Sequence, residues 1–413
     1  MQLFAQSILN IQLCYINFIY KKFLSKNVLS FINFIMLTTY YCEDDMNIKS
    51  DYRFDKEKEF VQKLIANAKE QCENYIVIIV GNVVGITKNF NDFNAKTSVT
   101  DEYYTLTQFN EISSTLQKVG FETLCYFDEM DFIQDVLNKR IKNNYPKKFI
   151  VLNFAQKGLV QGRKSLIPIF CEMNDIIHTN SNGFACSFAR EKYYWGLCIK
   201  DIANVPDSWL FNNKTSCWLA EEPTRGEKVI AKLCNQSSSI GMESQKSVFV
   251  YSDKSFNDVL SIANTYQQPV LVQKCIPGME VEVPIFYNGE KVFCLPPSGI
   301  LIDDDYKLNN KVLSNDIRCY GGFKLYNFDD KFSELSASIQ QQSIAIAKFL
   351  DLQGVSRIDY RIDNNNTAYV TDINCNPHLT KTSSVYKGFE HLNLGEYKNM
   401  VLAIIGLTIS RKW

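Results

Sequence analysis

Residues 355–377, VSRIDYRIDNNNTAYVTDINCNP, hold a pattern with chemical potential. In the first run Arg357, Asp359 and Arg361 alternate with Ile358, Tyr360 and Ile362, the period of two that puts alternate side chains of a strand on opposite faces. The second run alternates as well. Asp363-Asn364-Asn365-Asn366 between them is turn chemistry, because Asn and Asp tolerate left-handed backbone and bond to their own main chain. A hairpin turning between Asn365 and Asn366 sets Asp359 opposite Asp372 and Arg357 opposite Asn374. Carboxylates directly opposite repel. On a solvated face Arg357 and Arg361 would neutralise them. Alternatively, Asp359, Asp372 and the amide oxygen of Asn374 form a hard-oxygen site for Mg²⁺, a cation that keeps some waters and is completed by substrate phosphates.

A phosphate-completed metal site needs lysines on strands and a small-residue loop. Lys232 ends the strand pattern KVIAK and precedes LCNQSSSIGM, where Ser237, Ser238, Ser239 and Gly241 can present hydroxyls and backbone N–H groups to an anion. A flexible surface loop would read the same. In VLVQKCIPGMEVEV, Gln273 and Lys274 end a strand, Pro277-Gly278 forms a turn and Glu280 follows, which fits adenine and ribose but also an ordinary hairpin. GLVQGRKS at 158–165 fails as a phosphate loop, since its glycine spacing is one residue short and Arg163 precedes the lysine. The three histidines, His178, His378 and His391, lack ligand spacing.

The elements that must position these residues follow a regular order. From residue 75 the pattern runs strand (YIVIIVG), helix (Leu106, Phe109, Ile112, Leu116, closed by Gly120), strand (ETLCYF), helix near 130–141 and strand (KFIVLNF), a parallel α/β unit. The long polar stretch after Gly81 lies where such sheets bind ligands. A helix is expected at FAREKYYWGLCIKDI (188–202), strands at KVIAKL, SVFVYS and PVLVQK, and a long helix before Gly354. The 413 residues, 46% hydrophobic, suffice for two or three cored domains. Balanced charge, 44 Lys plus Arg against 45 Asp plus Glu, argues against nucleic acid and points to a small partner. Thirteen scattered cysteines read as reduced thiols of a cytoplasmic protein. Residues 1–45 read as an extension outside the fold, with Met46 opening the functional protein; a membrane or targeting segment is the alternative, weakened by polar interruptions and the lack of a basic leader.

In this order, KVIAKLCNQSSSIGM, VLVQKCIPGMEVEV, YKLNNKVLS, GVSRIDYRID, YVTDINCNP and TKTSS resemble the ATP-grasp superfamily and, within it, the D-alanine:D-alanine ligases. The most specific part is Arg-x-Asp, twelve residues, Asp-x-Asn-x-x-Pro and a following Ser. The resemblance implies an N-terminal α/β domain at 46–179, a central domain at 180–272 and a C-terminal domain at 273–413, with ATP between the last two. It implies that Lys192, Lys232 and Lys274 contact phosphates with help from Ser238 and Ser239, that Gln273 and Ile276 edge the adenine, and that Glu280 holds the ribose. Lys311 would approach the γ-phosphate, Arg357 the oxyanion, and Ser383 the carboxylate of a second amino acid. Asp359, Asp372 and Asn374 would hold two Mg²⁺ ions, with Mn²⁺ as a substitute. The implied activity is ATP-dependent dipeptide formation from small amino acids through an acyl phosphate, without nucleic acid or membrane partners and compatible with a homodimer.

The chain departs from that pattern in places. Asp372 replaces a glutamate, and Ser237 replaces a glycine. Asn153-Phe154-Ala155-Gln156 stands where the family has His-Gly and acids, and His378-Leu379 replaces Gly-Met. The family's early glutamate has only loose counterparts in Asp101 and Glu102. Amino-acid recognition is therefore expected to differ while ATP chemistry is kept. The competing reading is a nucleotide-binding protein that has lost catalysis, or a ligase for amino acids other than D-alanine.

Overall fold

The run YIVIIVG forms strand β1 (Tyr75–Gly81), buried along nearly its whole length, as a central parallel strand must be. The computed structural model describes residues 53–411, apart from 89–91, 94–96, 142–146, 243–246 and 320; the expectation for residues 1–45 lies outside these. The chain divides after Arg53, and the fold is that of the unit Phe54–Trp413. β1 pairs in parallel with β2 (Glu122–Tyr126) and β3 (Lys148–Phe154), and β3 with β4 (Ile177–His178), giving the order β2-β1-β3-β4. The helix Leu106–Val119 between β1 and β2 starts at a Thr105–Gln108 capping box and stops at Gly120, left-handed at φ 112°. This is the expected parallel α/β unit.

Two antiparallel sheets follow. The first, ordered β6-β5-β9-β7-β8, contains β5 (Ser208–Asn212), β6 (Cys217–Trp218), β7 (Lys228–Leu233), β8 (Val248–Val250) and β9 (Val270–Lys274). Its core packs against Val259 and Ala263 of the helix Asp253–Tyr266. The second, ordered β13-β12-β10-β14-β15, contains β10 (Met279–Tyr287), β12 (Ser298–Ile302), β13 (Phe323–Asn327), β14 (Gly354–Ile362) and β15 (Ala368–Asn374), with β11 (Val292–Cys294) on β10. Ile358, Tyr360 and Ile362 enter its core beside Ile339 and Ile346 of the helix Ser333–Phe349, so the apolar half of the alternation faces inward as read.

The helix expected over 188–202 needs correction. Its helical part is Lys192–Cys198, preceded by a separate short helix, Gly183–Phe188. The break between them turns Arg190 inward, where its guanidinium donates to the Asn235 carbonyl and to Ser237 Oγ. The described cysteines are free thiols, and no described helix is long and apolar enough to cross a membrane.

Candidate active site

The pairing of β14 with β15 sets Asp359 opposite Asp372 and Arg357 opposite Asn374. Past Asp359 the register slips, Tyr360 pairing with Val370, so that Thr371 is an extra residue on β15. The bulge gives Thr371 two partners: its carbonyl accepts from Lys232 Nζ at 3.0 Å, and its Oγ1 donates to the Asp359 carbonyl at 3.1 Å.

On β14 the polar face of the hairpin is buried, at Arg357, Asp359 and Arg361, while Asp372 and Asn374 on β15 are half-buried and face the cavity. Arg357 forks onto both Asp359 oxygens at 2.7 and 2.8 Å and reaches Glu282 at 3.0 Å, while Lys192 lies 3.2 Å from Asp372. Arg361 pairs with Glu280 instead, at 3.3 Å. Burial pushes the Asp359 carboxyl up, Arg357 pulls it back, and Glu282 raises it again. Burial opposes ionisation of Asp372 too, but Lys192, Lys232 and Arg190 outweigh it and hold that carboxyl low. Glu282, opposite Asp359 on β10, is an addition to the expected set; its sequence signal was the alternation MEVEV, which puts it on the same face as Glu280.

Lys232, next to last in β7, is half-buried against the hairpin, where desolvation and then Lys192 lower its ammonium pKa to about 8. Lys192 opens its helix and donates to the Gln236 carbonyl at 2.7 Å. Ser238 and Ser239 take left-handed backbone, φ 52° and 56°, and Gly241 follows at 81°. The turn associated with glycine at position 237 is thus carried by the next two serines. On the far side Gln273 is buried and donates to Ser208 Oγ at 2.9 Å, Lys274 is half exposed and 3.6 Å from Glu227, and Ile276 is buried. Ser383 caps the helix Ser384–His391, accepting from the Tyr386 N–H at 3.2 Å.

Lys192, Lys232, Ser238, Ser239, Gln273, Lys274, Ile276, Glu280, Arg357, Asp359, Asp372, Asn374 and Ser383 line one cavity of about 910 Å³. Lys311 does not line it: its ammonium is exposed and ion-paired with Asp303 at 2.7 Å.

Another cluster on the wall was not assembled from the sequence. Glu102 is buried in the turn Val99–Glu102, forms a salt bridge to Arg163 and accepts from Ser237 Oγ. Burial disfavours its charge, yet Arg163, Lys164, Arg190 and the Ser237 hydroxyl keep its carboxyl well below the usual range. Gln156 Nε2 donates to the Glu102 carbonyl at 2.8 Å. Burial pushes His378 down to about 4, and its ring lies 4.2 Å from that of Tyr104. The available signal was GLVQGRKS itself, two adjacent cations just before a mostly apolar helix.

Residues 195–406 match the family model described as D-ala D-ala ligase C-terminus. The chain belongs to the D-Ala–D-Ala ligase family. The family's D-alanine–D-alanine ligase from Chlorobium limicola is 26% identical over 253 residues, 59% of this chain and 64% of that protein. The enzyme of the same name from Proteus mirabilis is 26% identical over 186 residues, 45% and 47% of the two chains. The chain therefore spans about half to two thirds of the length of these relatives. The fold likeness reaches further. The family member from Bacillus anthracis, solved with ATP, superposes with a TM-score of 0.58 at 15% identity over 81% of this chain and 97% of that one. The architecture is the three-domain ATP-grasp fold.

Proposed function

We propose that the chain is an ATP-dependent carboxylate–amine ligase that joins two small amino acids, D-alanine being the reference substrate, through an acyl phosphate. The convergence of Arg357, facing carboxylates, an amide and phosphate-suited lysines and serines in one cavity carries this reading. In it, residues 46–179, 180–272 and 273–413 act as N-terminal, central and C-terminal domains, with ATP between the last two.

Asp359, Asp372 and Asn374 fit Mg²⁺, or Mn²⁺ in its place. They offer hard oxygens only, and the two carboxylates face each other on paired strands, where a dication would take over counter-charge that Arg357 and Lys192 otherwise supply. Two such ions would supply positive charge against the triphosphate. Lys192, Lys232 and Lys274 would bind phosphates with Ser238 and Ser239; Gln273 and Ile276 would edge the adenine and Glu280 the ribose.

A carboxylate oxygen of the first amino acid attacks the γ-phosphorus, the bond from phosphorus to the ADP oxygen breaks, and the acyl phosphate remains. The free amine of the second, its carboxylate anchored near Ser383, then attacks the acyl carbon. Arg357 stabilises the oxyanion, the carbon–oxygen bond to phosphate breaks, and the nitrogen loses a proton to leave the amide. The chain's contribution is mainly orientation and fixed charge.

The test is ATP-dependent phosphate release with D- and L-amino acids, singly and in pairs, with product masses recorded. ADP in a one-to-one ratio with a dipeptide supports the ligase; ATP binding without release across the panel overturns it. The position of Lys311 outside the cavity favours the second reading, a nucleotide-binding protein that has lost transfer. A wild-type rate of turnover by Lys311→Ala, together with dipeptide product, removes that support.

A further inference from the structure

Three cations, Arg163, Lys164 and Arg190, are buried around a single hydroxyl and a single carboxylate at one end of the cavity. Ser237 Oγ accepts from Lys164 Nζ at 3.1 Å and from Arg190 Nη1 at 2.7 Å. Glu102 is committed to Arg163 and to Ser237. The other carboxylate within electrostatic reach, Asp372, is held by Lys192. Among the described residues Lys164 therefore has no carboxylate within ion-pair distance and shares the field of Glu102 with Arg163 and Arg190, three cations to one carboxylate, although it is only 5% exposed and lines the cavity. An ammonium has three N–H donors, and this one has a single hydroxyl acceptor. Buried cations in excess of their counter-charges are costly. Burial accordingly lowers the Lys164 pKa to about 7, a cost that an incoming anion removes.

Resting on the ligase reading, we propose that this end of the cavity takes an amino acid with an anionic side chain, whose carboxylate sits on the Lys164 ammonium with Arg190 behind it. The phosphate groups of ATP are the competing anions, but Lys192 and Lys232 already stand by Asp372 and the Thr371 carbonyl to meet them. Neutral alanine offers nothing to Lys164. Aspartate or glutamate supplies the missing charge, and the neutral amides asparagine and glutamine match their size without it.

The experiment compares ATP-dependent phosphate release by the full chain with both enantiomers of aspartate, glutamate, asparagine, glutamine, alanine and serine, in pairs, with product masses recorded. The expected result is a kcat/KM for an acidic amino acid about tenfold or more above that of its amide. In Lys164→Met that preference disappears through KM for the acidic amino acid, and in Lys164→Arg it is retained. Equal or better use of alanine or the amides by the wild-type chain overturns the proposal and leaves the ligase reading standing. A Lys164→Met effect on KM for ATP alone overturns it in favour of a phosphate contact. Phosphate release with none of these amino acids overturns the ligase reading itself. The wild-type comparison needs no variant to fold.

Discussion

Lys232 is the residue through which pH should act on nucleotide binding. Its ammonium, lowered to about 8 by burial and by Lys192, is charged at pH 7 and neutral well above 8. A neutral amine repays less of the phosphate's lost hydration, so KM for ATP should rise as pH climbs from about 8 to 9.5, and Lys232→Arg should move that rise to higher pH. Steady-state kinetics across that range checks it. Asp372 answers a different question. Removing its carboxylate deletes a proposed metal ligand but keeps the fold's apolar contacts, so Asp372→Ala should lower kcat by about a hundredfold or more with near-native circular dichroism. Retained turnover would show that the facing acids are not the metal site. The pairing of Asp359 with Asp372 agrees with the sequence expectation, but the expected turn needs correction: the strands pair about Asn365, Ile362 opposite Ala368, and the extra Thr371 restores the register that a turn between Asn365 and Asn366 would have given. The second neighbour of each acid was not legible in sequence, since Arg357 on Asp359 and Lys192 on Asp372 require knowing that the face is buried and that a helix begins at residue 192.

At the scale of elements, the turn before β10 ties the proposed nucleotide linker to the hairpin of the facing carboxylates. Gly278 has φ +132°, and a Cβ there would lie 2.0 Å from the carbonyl oxygen of Ile362, the last residue of β14. Any side chain must push the linker away from that strand. Gly278→Ala should cost about 2 kcal/mol or more and lower Tm by about 5 °C, with a raised KM for ATP, because the displaced segment carries Gln273, Ile276 and Glu280. Thermal unfolding and ATP titration test both parts. Strands of this region were legible from their alternation. The bulge at Thr371 was not: an extra residue carries no mark of its own in the strand, and only the pairing partner reveals which one is extra. The helix over 188–202 failed for a related reason. Its periodicity continues through Arg190, but burying that guanidinium beside Asn235 and Ser237 overrides local propensity.

For the whole molecule, the cavity draws on all three sheets' surroundings, so ligand binding should stabilise the fold as a unit. With nucleotide and Mg²⁺ at about a hundred times Kd, stability should increase by about 2.7 kcal/mol, and Asp372→Ala should lose the Mg²⁺-dependent part of the Tm rise. Architecture at this scale was legible because strand and helix patterns occur in the order that parallel and antiparallel sheets require. The pocket around Glu102 was not legible, because its members, Glu102, Arg163, Arg190 and Ser237, come from four separate segments. The Ser237 hydroxyl where they meet has no spare valence: it gives its one proton to Glu102 and takes Lys164 and Arg190 on its two lone pairs. It adjoins the left-handed serines on one side and the pocket on the other. Whatever reorients one of its bonds must therefore be felt by the others, and the two substrates become thermodynamically linked. By reciprocity, a non-hydrolysable ATP analogue should change the affinity for the amino acid by the same factor as the amino acid changes that for the analogue, and Ser237→Ala should bring both factors towards one.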